Sequence, residues 1–331
     1  MLKDTHNRVI NYLRLSVTDR CNLRCKYCVP QSAHAGIGRR ELLPYEDLFR
    51  LARESVALGI RKIRITGGEP LVRPGIVEFL ERLNGLHVDG EGESLQLVLT
   101  TNGMLLKKLA APLRQAGVRR LNISLDSLKK ETFAAITGGG NVDAVLDGIE
   151  AAKEAGFPPP QINVVVLRGV NDSEITAFAA LAVKMHLNVR FIEFMPIAGN
   201  AGWKAQYVPS CEVLERIARE HRLTADKSLD GAGPARYFLL DDGPAKIGVI
   251  SPISEHFCAS CNRIRIASDG LARGCLFADE ATDLKPYLEQ GDEAVREILT
   301  SIIRKKPQRH NVTESECWHA QGWVPMSAIG G

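Results

Sequence analysis

The sequence predicts an α/β fold: an incomplete (βα)6 barrel of the TIM type, closed by a C-terminal α+β domain. Short β-rich runs alternate with amphipathic helical runs over about the first 200 residues, which is typical of a parallel sheet with helical crossovers. Six such units are too few for a complete eight-unit barrel, so we expect an open one. We expect residues 1–200 to form the barrel and residues 201–331 the C-terminal domain.

Periodicity and end signals place the six strands and the five helices between them. Pro44 opens the first helix, and Gly117 and Gly156 end two later ones. The expected strands span residues 12–18, 62–66, 95–100, 120–125, 161–167 and 189–195. The expected helices span residues 44–58, 75–83, 105–116, 142–155 and 173–185. Polar and glycine-rich clusters follow several strands at their carboxyl ends, where such folds carry their chemistry.

The pattern changes after about residue 197, where Gly199, Gly202 and Pro209 indicate a linker. Beyond it we expect a helix, two short strands and a helical region, at residues 210–221, 237–240, 246–250 and 283–306. The last residues, 326–331, are expected to form a flexible tail.

Composition is that of an ordinary globular protein, with 45% apolar and 24% charged residues. A net charge of +3 with 39 acidic residues gives no broad basic face for nucleic acid, although a local basic site for an anion remains open. There is no apolar run of 18 residues and no signal-peptide core, so we expect a cytoplasmic protein without a membrane segment. In that compartment eight cysteines favour metal or redox chemistry over disulfides.

Three cysteines in eight residues, Cys21, Cys25 and Cys28, follow the first expected strand. A tetrahedral zinc or a cubane iron–sulfur cluster usually takes four protein ligands. Three close thiolates without an obvious fourth favour an iron–sulfur cluster with one iron left open for a substrate or cofactor. A zinc site is the alternative, which the x3 spacing and the missing ligand disfavour.

A second group of three cysteines lies in the C-terminal region, at Cys258, Cys261 and Cys275. It predicts a second cluster with an open iron, and its alternatives are a zinc half-site or a structural cluster. Arg263 and Arg265 are two residues apart, so on a strand they point the same way and form an anion site suited to phosphates. The alternative is a solvated charged strand. We interpret the remaining cysteines, Cys211 and Cys317, as ordinary thiols.

The second expected strand ends in Thr66-Gly67-Gly68-Glu69-Pro70. A Gly-Gly pair allows a ligand to approach the backbone, and Glu69 offers a carboxylate to an amino group. The alternative is a tight turn and nothing more. Its position one β/α unit after the cysteine loop favours a role in binding.

The Cys-x3-Cys-x2-Cys motif, with the aromatic Tyr27 before its last cysteine, and the Gly-Gly-Glu-Pro turn resemble the radical S-adenosylmethionine enzymes. The resemblance implies that the first three cysteines hold a [4Fe–4S] cluster. It also implies that S-adenosylmethionine chelates the fourth iron and is cleaved by one electron to a 5′-deoxyadenosyl radical. The implied S-adenosylmethionine contacts are Tyr27, Gly68, Glu69, Asn102, Ser124, Arg190 and Met195.

A narrower resemblance covers almost the whole chain and is to the GTP 3′,8-cyclases, which begin molybdenum cofactor biosynthesis. The segments that carry it are residues 13–21, 64–71, 191–196 and 258–275 and the terminal Gly330-Gly331. It implies a second [4Fe–4S] cluster on Cys258, Cys261 and Cys275, whose open iron engages the guanine of GTP. The implied GTP contacts are Arg14, Lys62, Arg64, Thr100, Gln161, Arg263 and Arg265.

Three positions in this resemblance have special implications. Gln161 stands where the family pattern has a lysine, so one phosphate contact loses its charge. Gly330 and Gly331 are implied to enter the active site and support turnover, since two glycines can thread where a side chain cannot. Arg14 is implied to serve in the final reduction.

The reaction implied is removal of hydrogen from ribose C3′, addition of that radical to guanine C8, and reduction to (8S)-3′,8-cyclo-7,8-dihydroguanosine 5′-triphosphate. Implied partners are cyclic pyranopterin monophosphate synthase as the downstream enzyme and a reducing electron donor, flavodoxin-like or chemical. A homodimer is also compatible with it.

Two other classes of function remain as alternatives. One is another radical enzyme with an auxiliary cluster, such as a peptide-modifying enzyme, although those usually carry more C-terminal cysteines. The other is a non-enzymatic iron–sulfur or zinc module that binds nucleic acid.

Overall fold

The structure is a computed structural model that describes residues 2–28, 41–88, 94–195, 203–226, 233–278, 280–310, 312 and 326. The strands of the first half are β1 (Tyr12–Ser16), β2 (Lys62–Thr66), β3 (Gln96–Thr101), β4 (Arg120–Ser124), β5 (Gln161–Val166) and β6 (Asn188–Glu193). Those of the second half are β7 (Leu223–Asp226), β8 (Arg236–Leu240), β9 (Lys246–Ile250), β10 (Arg263–Ile266), β11 (Leu271–Arg273) and β12 (Thr282–Asp283).

Helices follow most of the early strands and recur in the second half. The first six are α1 (Tyr45–Ala57), α2 (Ile76–Asn84), α3 (Leu106–Gln115), α4 (Lys130–Thr137), α5 (Val142–Glu154) and α6 (Ile175–Met185). The later ones are α7 (Trp203–Gln206), α8 (Ser210–Ala218), α9 (Lys285–Gln290) and α10 (Asp292–Arg304). Among the described helices, none has the length and apolarity needed to cross a membrane.

The described strands form one sheet in the order β12-β11-β10-β1-β2-β3-β4-β5-β6-β9-β8-β7. Strands β1 to β6 are parallel neighbours in chain order, as the alternation of strands and helices predicts. The sheet is not closed between β12 and β7 in the described residues. The prediction of an incomplete barrel is therefore confirmed.

The C-terminal region extends this sheet at both edges and does not build a sheet of its own. Strand β10 pairs in parallel with β1, and β9 pairs in parallel with β6. Antiparallel strands then continue outward on each side. Both ends of the six-strand sheet are thus held by segments from the last third of the chain.

The six predicted strands and the five helices between them are present with ends within two residues of those expected. The expected helix at 173–185 starts as a 3-10 turn over Asp172–Glu174 before α6. The helical region at 283–306 is two helices, which Gly291 separates. Helices α4 and α7 and strands β7, β11 and β12 were not predicted.

Strand residues alternate between a hydrophobic core and a polar cavity. In β1 and β2, Leu13, Leu15, Ile63 and Ile65 are fully buried in the core between sheet and helices. Their neighbours in the chain, Arg14 among them, line the cavity on the other face of the sheet. Since successive side chains of a strand point to opposite faces, one strand supplies both the core and the site.

Glu193 joins the end of β6 to the C-terminal region. Its buried carboxylate accepts the backbone N–H groups of Ser210 (3.0 Å), Ile253 (3.0 Å) and Ser254 (3.1 Å), and also the hydroxyl of Ser254. Three loop donors that would otherwise be buried without partners are satisfied by one side chain. The loop that leads toward Cys258 is thereby fixed to the sixth strand.

We predict that Glu193→Ala lowers the free energy of unfolding by about 3 kcal/mol, because it leaves several buried donors unpaired. Chemical denaturation followed by circular dichroism measures this. Glu150→Ala is the matched control, because the Glu150 side chain is 52% exposed and pairs with Lys153; we expect a change below about 0.5 kcal/mol. Equal effects of the two substitutions would contradict the role of Glu193.

Candidate active site

A cavity of about 290 Å³ lies on the polar face of the sheet. Both cysteine groups line it, together with side chains from β1 to β6 and the loops that follow them. The six cysteines at its wall are Cys21, Cys25, Cys28, Cys258, Cys261 and Cys275, and all are free thiols. The structure therefore brings together two motifs that are more than 200 residues apart in the sequence.

The first cysteine loop is held by the Gly-Gly turn that follows β2. Gly68 N–H donates to the Thr18 carbonyl (2.8 Å), and Glu69 N–H donates to the Arg20 carbonyl (2.8 Å). A Cβ on Gly68 would lie 2.3 Å from the Arg20 carbonyl oxygen, closer than atoms can approach. Gly68 is required because two backbones touch here, and it also lines the cavity.

Helix α4, which the sequence analysis missed, supports the same loop from the other side. The N–H groups of Arg24 and Lys26 donate to the last-turn carbonyls of Thr137 (2.8 Å) and Ile136 (3.0 Å). Gly138 ends the helix with φ of +71°, and a Cβ there would meet the Arg24 Cβ at 2.9 Å.

The sulfur atoms of the first cysteine group lie near hydrogen-bond donors and near one another. Leu23 N–H lies 3.3 Å and the Asn102 amide nitrogen 3.7 Å from the Cys21 sulfur. Burial raises the pKa of the Cys25 thiol, and Asp126 and the other two cysteines raise it further. Thiolates in this position need a positive partner, which iron in a cluster supplies.

The spacing of the thiols fits a cluster better than a single ion. In the part of the chain that the structure describes, neither cysteine group brings its three sulfurs within 4.8 Å of one another. Three thiolates around one zinc, at about 2.3 Å each, would be about 3.8 Å apart. One set of three possible metal ligands does lie close together and includes a cysteine of the second group. Ligand atoms of His256, Cys258 and His310 lie within 4.8 Å of one another.

Glu69 and Asp126 are buried carboxylates that fix loops at the strand ends. Glu69 accepts the Thr101 hydroxyl (2.8 Å) and the N–H groups of Asn102 (2.6 Å) and Leu71 (3.1 Å), and burial raises its pKa to about 7. Asp126 accepts the Tyr27 hydroxyl (2.6 Å), which locks the aromatic residue of the cysteine motif in place. Both carboxylates thus support residues implied to contact S-adenosylmethionine.

A row of arginines, of which Arg265 is buried and Arg14 and Arg64 are half-buried, crosses the cavity. Arg14 on β1 is in register with Arg64 on β2 and Arg265 on β10, so the three side chains project from adjacent strands on the same face. Burial, with the charges of Arg265 and Arg64, holds the pKa of Arg14 well below its usual range. Burial and Arg263 lower that of Arg265 to about 10. A bound polyanion would relieve this repulsion.

Cations outnumber carboxylates among the described residues of the cavity wall. The cations are Arg14, Arg64, Arg190, Arg263, Arg265 and Lys306, and the single carboxylate is Asp126. Buried polar atoms without a hydrogen-bond partner also belong to lining residues: the Tyr12 and Thr100 hydroxyls, the Asn163 oxygen and Nε of Arg64 and Arg190. Such atoms are costly unless a polar ligand satisfies them.

The second cysteine group starts in a 3-10 turn over Cys258–Ser260 and continues into β10. Arg263 is on that strand, and its guanidinium lies 3.5 Å from the Cys261 sulfur. Burial opposes ionisation of Cys261, but Arg263 and Lys306 outweigh it and lower the pKa to about 6. The arginine pair that the sequence placed on a strand is therefore on one, beside the thiols.

Most of the predicted site residues line this one cavity. Besides the six cysteines they are Arg14, Tyr27, Arg64, Gly68, Thr100, Asn102, Ser124, Arg190, Met195, Arg263 and Arg265. Gly330, Gly331 and Cys317 lie outside the described residues. Cys211 is exposed on α8 and is not among the described residues of the cavity wall.

Three predicted residues are not among the described residues of the cavity wall: Lys62, Glu69 and Gln161. Lys62 places its ammonium 4.7 Å from the centre of the Tyr12 ring, and burial lowers its pKa to about 8. The amide of Gln161 donates to the Tyr237 hydroxyl (3.3 Å). Lys62 thus borders the cavity through Tyr12, and Gln161 contacts a C-terminal strand.

The sequence analysis also missed several residues of the cavity wall: Tyr12, Asp126, Asn163, Lys306 and His310. Tyr12 and Asn163 share the alternation of the predicted arginines, and Asp126 follows a strand end, so strand periodicity could have found them. Lys306 and His310 come from the chain after α10, and only the tertiary fold brings them here.

Comparison with known proteins agrees with the fold and the motifs. The profile of the Radical SAM superfamily matches residues 15–182, and that of Molybdenum Cofactor Synthesis C matches residues 187–312. Streptococcus suis SuiB bound to S-adenosylmethionine has a similar fold, with a TM-score of 0.64 and 16% identity over 92% of this chain and 68% of that chain. The fold and the site define a radical S-adenosylmethionine enzyme.

Comparison with curated relatives identifies the family to which this chain belongs among the radical S-adenosylmethionine enzymes. The chain is 51% identical to the GTP 3′,8-cyclase of Geobacter sulfurreducens, over 100% of this chain and 99% of the relative. It is 44% identical to that of Thermodesulfovibrio yellowstonii, over 100% of both. The chain therefore belongs to the GTP 3′,8-cyclases. The cofactors expected from the sequence, two [4Fe–4S] clusters and S-adenosylmethionine, are those of this family.

We predict that Gly68→Ala removes the first cluster, because its Cβ would displace the backbone that carries Cys21. Iron in anaerobically reconstituted protein should fall from about eight to about four atoms per chain. Gly233→Ala is the control, since a Cβ there meets nothing within 4 Å, and it should keep about eight. Full iron in the Gly68 variant would disprove the close-contact argument.

Proposed function

We propose that this protein converts GTP to (8S)-3′,8-cyclo-7,8-dihydroguanosine 5′-triphosphate, the first step of molybdenum cofactor biosynthesis. The observation that carries the proposal is the row of arginines that lines one cavity together with the two cysteine groups. A triphosphate supplies the negative charge that Arg14, Arg64 and Arg265 need. Family membership at 51% identity over the whole chain supports the same reaction.

The first cysteine group and its neighbours form the S-adenosylmethionine end of the cavity in this proposal. Cys21, Cys25 and Cys28 would hold the first cluster. Together the cluster and S-adenosylmethionine supply the radical that takes hydrogen from the substrate. Hydrogen-bonding groups for S-adenosylmethionine come from Tyr27, Gly68, Asn102, Ser124 and Arg190, and Met195 packs beside them. Glu69 is not among the described residues of the cavity wall, and it acts by fixing Asn102 through a hydrogen bond.

The second cysteine group forms the substrate end. Cys258, Cys261 and Cys275 would hold the second cluster, which would supply an open iron for binding the guanine. Arg263 lies against the Cys261 sulfur and faces the same side as Arg265, so its charge is available to the nucleotide next to the cluster. Fixing the base and the ribose at once brings C8 and C3′ into contact distance, which is worth several kcal/mol of activation free energy.

Several smaller roles belong to the proposal. Thr100 has a buried hydroxyl without a partner and serves as a donor to the nucleotide. Lys62 lies against the ring of Tyr12, and its charge attracts the phosphates from there. Gln161 contributes at most a neutral hydrogen bond. Arg14 serves in the final reduction, and the tail with Gly330 and Gly331 enters the site during turnover.

The proposed setting of the enzyme is the cytoplasm, with neither membrane nor nucleic acid as partner. An electron donor of the flavodoxin type, or a chemical reductant, supplies the electrons, and cyclic pyranopterin monophosphate synthase takes the product. The chain is divided near residue 200 into the barrel and the C-terminal domain, and a homodimer is compatible with the proposal.

The proposal is tested by incubating anaerobically reconstituted protein with S-adenosylmethionine, dithionite and one nucleotide. We expect GTP to yield 5′-deoxyadenosine and the cyclised triphosphate in equal amounts, both measured by mass spectrometry. ATP is the comparison, because it has the same triphosphate and a different base, and it should yield no cyclised product. Product formation that does not depend on GTP would reject the substrate assignment.

We predict that Arg64→Ala weakens GTP binding about 10- to 100-fold, since a buried charge-assisted contact is worth about 1.5–3 kcal/mol. Equilibrium dialysis with labelled GTP measures this. Arg119→Ala is the control, because Arg119 is exposed at the start of β4, and it should bind GTP as the wild type does. Unchanged affinity in the Arg64 variant would count against the arginine row as the phosphate site.

We predict that Cys275→Ala retains the first cluster and loses cyclisation. Iron should fall to about four atoms per chain, while slow cleavage of S-adenosylmethionine without GTP continues. Cys211→Ala is the matched control, because Cys211 is exposed and is not among the described residues of the cavity wall. A Cys275 variant that still forms the cyclised product would exclude an essential second cluster.

A further inference from the structure

A buried ion pair in the N-terminal segment joins residues before β1 to each other. Asp4 and Arg8 are both less than 9% exposed, although the residues between them, 5–7, are exposed. Nε of Arg8 donates to Oδ2 of Asp4 (2.5 Å), while Oδ1 of Asp4 accepts the N–H groups of His6 (2.9 Å) and Arg8 (3.0 Å). Asp4 thus fixes both the turn and the direction of the guanidinium.

The remaining donors of Arg8 point at the second cysteine region, about 250 to 300 residues further along the chain. Nη1 donates to the carbonyls of Cys258 (2.8 Å) and Gln308 (3.0 Å), and Nη2 donates to that of Pro307 (2.7 Å). One side chain therefore holds the backbone of a predicted cluster ligand against the segment that follows α10.

Lys306 completes the set from that same segment. Its ammonium is buried and donates to the carbonyls of Arg263 (3.1 Å) and Gly274. Gly274 directly precedes Cys275, and Arg263 is two residues after Cys261. Together Arg8 and Lys306 reach the backbone at or beside all three cysteines of the second group.

We propose that Asp4, Arg8 and Lys306 are positioning residues, which hold the second cysteine group in the arrangement that its cluster requires. The inference rests on the proposed function in one respect, namely that this group holds a cluster. We call the three residues the N-terminal clasp.

The chemistry of the contacts supports a positioning role over plain stability. A buried ion pair is weak evidence for stability, because removing two charges from water costs about as much as their attraction returns. Arginine offers five donors in a planar fork. The Arg8 guanidinium uses its donors to bind four groups, namely one carboxylate and three backbone carbonyls. Cys258 and Cys261 begin and end one 3-10 turn, whereas Cys275 follows β11, so these two segments must be held at a fixed spacing. Arg8 and Lys306 bind backbone carbonyls in both segments.

The test compares Arg8→Ala with Arg216→Ala after anaerobic reconstitution. Arg216 is the matched control, because it also joins carboxylates and a backbone carbonyl, but between α8 and the start of α6. We expect iron in the Arg8 variant to fall from about eight toward about four atoms per chain, with the rest held by the first group. The control should keep about eight.

Two further readouts separate positioning from general damage. A chelator should release iron from the second group of Asp4→Asn at least ten times faster than from wild type, with unchanged release from the first group. Cleavage of S-adenosylmethionine without GTP should be unaffected in both clasp variants, because it needs the first group alone. Circular dichroism then shows whether each variant is folded.

The inference is overturned if a folded Arg8→Ala protein keeps about eight irons and releases them at the wild-type rate. If Arg8→Ala does not fold, Asp4→Asn decides by the same chelator rates, since it keeps the shape of the side chain. A wild-type protein that holds eight irons but does not cyclise GTP would reject the proposed function and leave the clasp intact. Loss of iron from both groups in equal measure would also reject the clasp.

Discussion

The parallel pairing of β1 with both β2 and β10 is the constraint on which the site depends. It places Arg14 between Arg64 and Arg265, so that three cations lie on one face of the sheet. The same strand begins beside the second cysteine group, where Tyr12 N–H donates to the Asn262 carbonyl (3.2 Å), and runs directly into the first group. One strand of five residues therefore sets both the charge of the cavity and the separation of its two ends.

Buried carboxylates convert the ends of strands into a rigid frame for the loops. Glu69, Asp126 and Glu193 follow or end alternate strands, and each accepts two or more donors from neighbouring strands, helices or loops. None of the three needs to touch a ligand to matter. They hold Asn102, Tyr27 and the approach to Cys258, so that the groups proposed to bind cofactor and substrate are fixed before either arrives.

Local signals explain which parts of this arrangement the sequence predicts. Alternation such as that of Leu13, Arg14 and Leu15 predicts the strands, and cysteine spacing predicts both groups. Helix α4 was missed because it has only eight residues and contains two threonines and an isoleucine, whose β-branched side chains lower helical propensity. The pairing of β10 with β1 joins residues about 250 positions apart, and the contacts of Lys306 join residues 32 and 43 positions apart, so no local pattern predicts either. Lys62 and Gln161 are not among the described residues of the cavity wall. Their placement depends on the geometry of the sheet, which no local sequence pattern predicts.

The central claim is that the cavity holds GTP with ribose C3′ toward the first cysteine group and guanine C8 toward C3′. The most direct measurement is turnover of GTP deuterated at C3′, with mass spectrometry of the 5′-deoxyadenosine released. We predict that one deuterium is transferred to 5′-deoxyadenosine, while GTP deuterated at C8 transfers none. Unlabelled 5′-deoxyadenosine from the C3′-labelled substrate would contradict the proposed orientation and with it the assigned reaction.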